Sequence, residues 1–403
     1  MKRSGSADLP LHNGSVPKWL YERMAKLGFA ITEAIISEYG RKEFLSRISD
    51  PFWFQSFGAV LGMDWHSSGI TTSVMGALKR SVNPHAKELG LYICGGKGKF
   101  SKDAPAELLQ VAEKTGLDGQ ELVRYSKLSA KVDNTAVQDG FQLYIHNFIV
   151  SSEGDWSVVQ QGMRGGDAMA RRYHWHSPQV RSFMEEPHAA VCGVNQGQIL
   201  NLTASEAAVT RQSMLRVTEE KPELMMQEFQ HLIMPLHHDV RSQNVDLKRL
   251  GTILWLAHEK ELKNFEELLL LEGVGPKTVQ SLALVSEVIH GTPSRFKDPA
   301  RFSFAHGGKD GHPFPVPTKT YDETIESLQK AVERAKMGQG EKAEALKKIH
   351  EIAVRAEKDF IPTDKLQQVI EKEMEDSWKY GGKTVFGDAR PPRRSKGVQL
   401  RLF

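Results

Sequence analysis

The stretch FQLYIHNFIVSSEGDWSVVQQGM, residues 141–163, decides the fold predicted for this chain. Two runs rich in β-branched and aromatic residues flank a polar loop, SSEGD, that contains a glycine. This pattern is typical of two antiparallel strands joined by a short turn. The stretch therefore predicts a β-hairpin.

Outward from this hairpin, short apolar runs alternate with helical patterns between about residues 52 and 200. The predicted elements are helices at 16–48, 70–82 and 104–114, with further strands in FGAVLGM (57–63) and LGLYICGG (89–96). Residues 10–202 are therefore expected to form an α+β domain, a small mixed sheet with helices, and this is the candidate catalytic domain.

The second half of the chain has helical periodicity almost throughout. Predicted helices begin near Ser205 and at Pro222 and continue at 245–258, 263–271, 320–357 and 363–378. Residues 203–380 are expected to form an all-α domain, followed by a flexible basic tail at 381–403.

A glycine turn interrupts the helical half in LLLLEGVGPKTVQSLALVSEVIHG, residues 268–291. Glycine adopts left-handed backbone angles at little cost, and the N-terminus of the helix that follows can face an anion. The segment 264–291 resembles the helix-hairpin-helix motif, which implies that its backbone amides hold a DNA phosphate. The predicted DNA contacts are Gly273, Val274, Gly275, Lys277 and Thr278.

Lys277 also resembles the Schiff-base lysine of helix-hairpin-helix DNA glycosylases, in which an aspartate some twenty residues later assists. Asp298 lies 21 residues after Lys277. A nucleophilic lysine needs a pKa lowered by burial or by neighbouring charge. A glycosylase with lyase activity that uses these two residues is therefore an alternative to simple phosphate binding.

Acidic and basic side chains crowd two parts of the α+β half, GMDWHSSGITT (62–72) and AKVDNTAVQDGFQLY (130–144). Carboxylates near strand ends can bind Mg²⁺ or Mn²⁺, as in restriction-type nucleases, which this arrangement loosely resembles. The predicted catalytic residues are Asp64, His66, Lys131, Asp133 and Asp139, with Asp64, Asp133 and Asp139 as metal ligands. The alternative is that Asp133 and Asp139 are turn formers.

Two further basic segments are candidate nucleic-acid contacts. CGGKGK places Lys97 and Lys99 in a flexible loop that can hold phosphate. ARRYHWHS mixes basic and aromatic residues, which suits contact with exposed bases, and it contributes Arg171 and Arg172.

Several of these segments together resemble a prokaryotic family known as domain of unknown function 763. They include DPFWFQSFGAVLGMDWHSSGITT, AKVDNTAVQDGFQLY and FAHGGKDGHPFPV, and the likeness covers about residues 10–340. The resemblance implies a mixed domain joined to a helix-hairpin-helix in a protein that processes DNA.

The final five residues, QLRLF, are similar to the peptide that binds the bacterial sliding clamp, the beta subunit of DNA polymerase III. Its contacts would be Gln399, Leu400, Leu402 and Phe403. The preceding segment, DARPPRRSKG, is expected to be a flexible linker that extends the reach of the peptide.

Composition fits a cytoplasmic protein without a membrane span: 403 residues, 40% hydrophobic and 26% charged, with a net charge of +3 and two cysteines. The leading hypothesis is a metal-dependent nuclease of DNA repair or replication, recruited by the clamp. The alternatives are the glycosylase with lyase activity and a non-catalytic adaptor that binds DNA and the clamp.

Overall fold

The computed structural model describes most of the chain, and the helices and strands are given below with their bounds in this structure. The described residues are 9–10, 16–63, 69–164, 169–231, 247–300, 318–358, 383–384 and 387–388. The α-helices are α1 (Lys18–Tyr39), α2 (Arg41–Ser49), α3 (Pro51–Val60), α4 (Gly69–Val82), α5 (Ala86–Leu89), α6 (Ala104–Thr115), α7 (Gly119–Lys131), α8 (Ala208–Glu219), α9 (Pro222–His231), α10 (Leu247–Lys260), α11 (Phe265–Leu270), α12 (Pro276–His290), α13 (Thr318–Arg334) and α14 (Gln339–Lys358). The β-strands are β1 (Leu9–Pro10), β2 (Leu91–Lys97), β3 (Val137–Gln138), β4 (Gln142–Ser151), β5 (Trp156–Met163), β6 (Met169–His176), β7 (Ala190–Cys192), β8 (Gln198–Asn201), β9 (Phe296–Lys297), β10 (Lys383–Thr384) and β11 (Gly387–Asp388).

The main sheet is antiparallel, with strand order β1-β6-β5-β4-β2 and β7 added along β6. The predicted hairpin forms its centre as β4 and β5, with Val150 opposite Trp156 and His146 opposite Gln160. A second, three-stranded sheet has the order β3-β8-β9 and joins the two halves of the chain, since β9 follows α12. The mixed α+β class predicted from the sequence is confirmed.

Helices cover both faces of the main sheet and form two apolar cores. On one face, α1–α4 pack on sheet residues such as Ile93, Ile149 and Val159. On the other face, α6 and α7 pack on Phe148 and Trp175, and the same core continues into α8–α12. Because successive strand residues point to opposite faces, each strand contributes to both cores.

One predicted strand is wrong. The run FGAVLGM lies mostly within α3, a helix of which nearly every residue is buried. Asp50 caps this helix by accepting a hydrogen bond from the Trp53 amide at 2.6 Å, and Pro51 occupies its first turn. A helix buried on all sides has no polar face, so its sequence cannot be told from a buried strand by periodicity.

The helices α13 and α14 divide the segment predicted as one helix at 320–357, and they pack on the N-terminal helices. Leu328, Val332 and Ile349 join the core built by α1–α4 rather than the core of α8–α12. The helix predicted at 363–378 lies outside the described residues. In the described part of the chain, no helix combines the length and apolarity that a membrane crossing requires.

Candidate functional site

The glycine turn between α11 and α12 uses the left-handed freedom of one of its two glycines. Gly273 has φ of +82°, in the left-handed region where a side chain would be strained, whereas Gly275 is extended, with φ of −142° and ψ of −175°. Asn264 caps α11 by accepting from the Glu267 amide at 3.0 Å. We call residues 264–291 the glycine hairpin.

The turn of the glycine hairpin is partly exposed and partly buried. Gly273 and Lys277 are exposed, while Val274 is buried in the core shared with α10 and α11. The first amides of a helix have no intrahelical acceptor, and the Gly275 carbonyl is taken by the Val279 amide at 3.1 Å. The N-terminus of α12 therefore presents backbone donors beside an exposed lysine.

Two side chains of the α+β half donate hydrogen bonds to backbone carbonyls of the turn. Lys131, at the end of α7, donates its Nζ to the Val274 carbonyl, and Gln138 donates its Nε2 to the Pro276 carbonyl at 2.8 Å. Lys131, predicted as a catalytic residue, thus contacts the hairpin that the sequence assigns to DNA. These bonds fix the orientation of the turn relative to the sheet.

Asp133 lies at the centre of a buried network on one face of the sheet. Its Oδ2 accepts from Gln160 Nε2 at 2.6 Å and from Trp175 Nε1 at 3.0 Å, and its Oδ1 contacts His188 Nε2 at 2.5 Å. Burial raises the pKa of the Asp133 carboxyl, an effect that these three donors oppose. His146 joins this network through Gln160, since its Nδ1 lies 2.7 Å from Gln160 Oε1.

Asp139 and Asp298 share Arg171 in a second buried network. Arg171 Nη1 donates to Asp139 Oδ2 at 2.9 Å and to Asp298 Oδ1 at 3.0 Å, while its Nη2 donates to Asp298 Oδ2 at 2.9 Å. Burial by itself would lower the pKa of Arg171, but the two carboxylates raise it, so the guanidinium stays charged. Asp139 Oδ2 also accepts from Tyr173 at 2.6 Å.

Both arginines that the sequence predicts as nucleic-acid contacts are buried. Arg171 and Arg172 each have 0% of their surface exposed. Arg172 lies on the opposite face of the sheet, where it donates to Gln55 at 2.9 Å and sits over the ring of Phe54 at 4.7 Å. Neither side chain can touch a nucleic acid while the protein is folded.

The predicted metal centre is only partly within the described residues. Asp64 and His66 lie outside them, so the structure does not test whether they meet Asp133 and Asp139. Where residues are described, no group of three or more His, Cys, Asp and Glu side chains is arranged to hold a metal ion. Asp133 and Asp139 each accept three hydrogen bonds from protein donors, which a metal would have to displace.

The remaining predicted contacts fall into two groups. Lys97 and Lys99 are exposed at the end of β2 and in the short helical turn after it, with Lys97 Nζ 6.0 Å from the Tyr144 ring centre. The clamp-binding residues Gln399, Leu400, Leu402 and Phe403 lie outside the described residues. Both remain predictions.

A cleft that the sequence does not predict as a site lies beside the glycine hairpin. It has a volume of about 390 Å³ and is lined by β3, β8, the segment before β9 and one side of α12. Gln138 and Asp139 belong both to the predicted site region and to this cleft. The rest of the lining has no local signal in the sequence, because Gln196 and Gln198 flank Gly197, whose φ of +77° breaks the alternation of an extended chain.

The fold and site define a class of protein: an α+β protein in which an exposed glycine hairpin is held against a sheet with a polar, buried centre. The chain belongs to the family described as "Protein of unknown function (DUF763)", which it matches over residues 5–316. No curated protein and no solved structure matches the chain.

Proposed function

We propose that this protein binds the sugar–phosphate backbone of DNA through the glycine hairpin, and does so as part of DNA repair or replication. The observation that supports this best is the exposure of Gly273 and Lys277 at the N-terminus of α12. Such helix N-termini are suited to phosphate, because both the donors and the helix dipole favour a negative charge.

The anchoring of the turn adds to the proposal. A phosphate site loses affinity when its donors must be ordered on binding, and here Lys131 and Gln138 already hold the turn by its carbonyls.

The glycosylase and lyase alternative is weaker, because Asp298 is fully engaged. Its two oxygens accept four hydrogen bonds, from Arg171 Nη1 and Nη2 and from the backbone amides of Gln196 and Ala300. Lys277 is exposed, whereas a lysine nucleophile is usually activated by burial or by a neighbouring cation. The hairpin geometry therefore favours Lys277 as a phosphate contact.

Cleavage of DNA with Mg²⁺ or Mn²⁺ stays a proposal that depends on Asp64 and His66. Incubation of flap, bubble and mismatch substrates with either cation tests it directly, with Asp64→Asn as the variant that should lose cleavage. Borohydride trapping tests the lyase separately, since a covalent DNA adduct absent from Lys277→Ala would support the lyase and refute the role proposed for that lysine.

Binding is tested by fluorescence anisotropy of labelled duplex DNA with the full chain and two hairpin variants. In Gly275→Ala the added methyl group meets nothing within 4 Å and the backbone is already extended, so the fold should tolerate it. The methyl group would stand where a phosphate approaches the amides. Charge-assisted hydrogen bonds contribute about 1.5–3 kcal/mol each, so a loss of affinity of at least about tenfold is expected.

The matched control is Gly340→Ala near the start of α14, where an added methyl group also meets nothing within 4 Å. It should bind DNA as the wild type does. Lys277→Ala should weaken binding and reduce the slope of log K against log salt by about one unit. Wild-type affinity in both hairpin variants would overturn the proposal.

A further inference from the structure

The loop that follows β2 carries an exposed aromatic ring among its lysines. Residues 97–103 read KGKFSKD, so three lysines and one aspartate surround a single large apolar side chain. Phe100 has 53% of its surface exposed, and Lys97, Lys99 and Lys102 are exposed as well. We call residues 97–102 the basic loop.

The base of the basic loop is held by an ion pair. Lys79 Nζ lies 2.6 Å from Glu107 Oε1. The same two side chains bind both backbone groups of Gly95, since Lys79 donates to its carbonyl at 2.7 Å and Glu107 accepts from its amide at 2.6 Å. Further along, Ser101 Oγ donates to the Gly98 carbonyl at 2.6 Å. The exposed ring is therefore carried on a backbone that is already ordered, which reduces the entropy lost when a ligand binds.

The lysines of the basic loop are not neutralised by acidic side chains. No carboxylate in the described part of the chain forms an ion pair with Lys97, Lys99 or Lys102. Lys99 Nζ lies 5.3 Å from the ring centre of Phe100, and Lys97 Nζ lies 6.0 Å from that of Tyr144. A cation–π contact at an exposed ring is weak beside a charge-assisted hydrogen bond to phosphate, so these ammonium groups can turn toward a phosphate.

An exposed ring with lysines around it suits a nucleic-acid strand that has an unpaired base. Such a base can stack on the ring whatever its identity, because every base has a π-face, while the lysines contact the phosphates on either side. In a paired duplex the faces of the bases are already covered by their neighbours in the stack. The basic loop is therefore suited to single-stranded rather than fully paired DNA.

The basic loop and the glycine hairpin are connected through the same end of the main sheet. β2 ends at Lys97, which pairs near the beginning of β4. Close to that point, Leu143 donates its amide to Asn134 Oδ1 at 3.1 Å. Asn134 lies in the short helical segment that follows α7, and Lys131 at the end of α7 donates to the Val274 carbonyl of the hairpin. This shared location favours DNA over a lipid surface as the partner of the basic loop.

We propose that the basic loop binds an unpaired segment of DNA, with Phe100 stacked on a base and the lysines on the adjoining phosphates. The inference rests on the proposed function and names the form of DNA, a duplex with a single-stranded extension. The glycine hairpin would hold the backbone of the duplex part, and the basic loop would hold the extension.

The test measures anisotropy of three labelled DNAs with the full chain: a blunt duplex, the same duplex with a tail of about six thymidines, and the free tail strand. The wild type should bind the tailed duplex more tightly than the blunt one. Phe100→Ala should weaken binding of the tailed duplex by about 5- to 150-fold, the effect of losing one stacked base, and leave the blunt duplex unaffected. Phe100→Trp should keep the preference, whereas Phe100→Leu, which is apolar but has no flat face, should lose it.

A matched control is Trp19→Ala on α1. Its ring is 61% exposed and has the Arg23 guanidinium 5.7 Å from its centre, so it reproduces an exposed ring beside a cation outside both proposed DNA sites. This variant should bind all three DNAs as the wild type does. Lys99→Ala and Lys102→Ala should each reduce the slope of log K against log salt for the free strand by about 0.7.

The outcomes separate this inference from the proposed function. If the wild type has no preference for the tail while duplex binding stays sensitive to Gly275→Ala, the inference is wrong and hairpin binding stands. Binding of the free strand that depends on Phe100, with duplex binding insensitive to Gly275→Ala, would support the basic loop and refute the hairpin.

Two further results would overturn the role given to Phe100. Wild-type affinity for the tailed duplex in Phe100→Ala or Phe100→Leu would show that no base stacks on this ring. Sedimentation with phosphatidylserine vesicles tests the lipid alternative. If binding that depends on Phe100 is found with the vesicles and not with the tailed duplex, the basic loop is a lipid contact and the inference is wrong. Absence of DNA binding in every form would overturn both proposals.

Discussion

Replacing Arg171 with methionine should show what the buried ion network contributes to stability. Methionine has a similar reach but removes the cation that Asp139 and Asp298 share, and all three side chains have 0% or close to 0% exposure. Breaking a buried pair by removing one partner costs about 3–5 kcal/mol, because the remaining charge is left without compensation. Since whole proteins are stable by only about 5–15 kcal/mol, this loss is a large share of the total.

The assay is urea unfolding followed by circular dichroism, with the exposed pair Arg23–Glu344 as the reference. That pair is 3.4 Å apart with 58% of each side chain exposed, so Arg23→Met should cost less than about 1 kcal/mol. Arg171→Lys keeps the charge but not the fork of donors, and it should fall between the two. If Arg171→Met costs no more than Arg23→Met, the network does not stabilise the fold.

The pH dependence of the same variant gives a second readout. Burial raises the pKa of Asp139, and Arg171 is the strongest influence that lowers it, so removing the arginine should raise this pKa further. A carboxyl whose pKa is higher in the folded than in the unfolded chain takes up protons on folding. The deficit of Arg171→Met relative to the wild type should therefore shrink as pH falls, and a deficit that grows would contradict the reasoning.

Three further predictions concern single positions. Burial lowers the pKa of His146 to about 4 from its ordinary value of 6.5. Between these two pH values the unfolded chain binds more protons than the folded chain, so the free energy of unfolding should fall as the pH drops from 6.5 to about 4. Urea unfolding at about pH 7.5 and about pH 5 should show a smaller loss of stability in His146→Gln than in the wild type, and an equal loss would contradict this. A Cβ at Gly58 would lie 2.6 Å from Ile70 Cγ2, so Gly58→Ala should cost about 1–3 kcal/mol in thermal unfolding, and an unchanged melting temperature would refute the clash. Replacing Leu402 and Phe403 with alanine should abolish binding to a purified bacterial sliding clamp in surface plasmon resonance and leave the melting temperature unchanged, because the two apolar side chains would supply the buried contact; a lowered melting temperature would show that the tail contributes to the fold instead.

Local patterns in the sequence were enough to predict the elements that frame the site. The hairpin at 141–163 has two β-rich runs around a polar turn, and the structure has it as β4 and β5. The glycine turn at 273–275 was predictable for a similar reason. Gly273 can take the left-handed angles of a turn, and Pro276 suits the first turn of the helix that follows. Where the pattern was ambiguous, as in the fully buried α3, the prediction was wrong.

The sequence by itself determined the central hairpin, the glycine turn and most of the helices, because those depend on neighbours within a few residues. Only the tertiary structure decided what each charged residue does. Arg171 is read as a surface contact from ARRYHWHS, yet its partner Asp298 lies 127 residues away and makes it a buried cross-link. The cleft likewise forms from β3, β8 and α12, which no local pattern brings together. Burial and pairing depend on contacts between segments distant in the chain, and a residue's own neighbours in sequence carry little information about them.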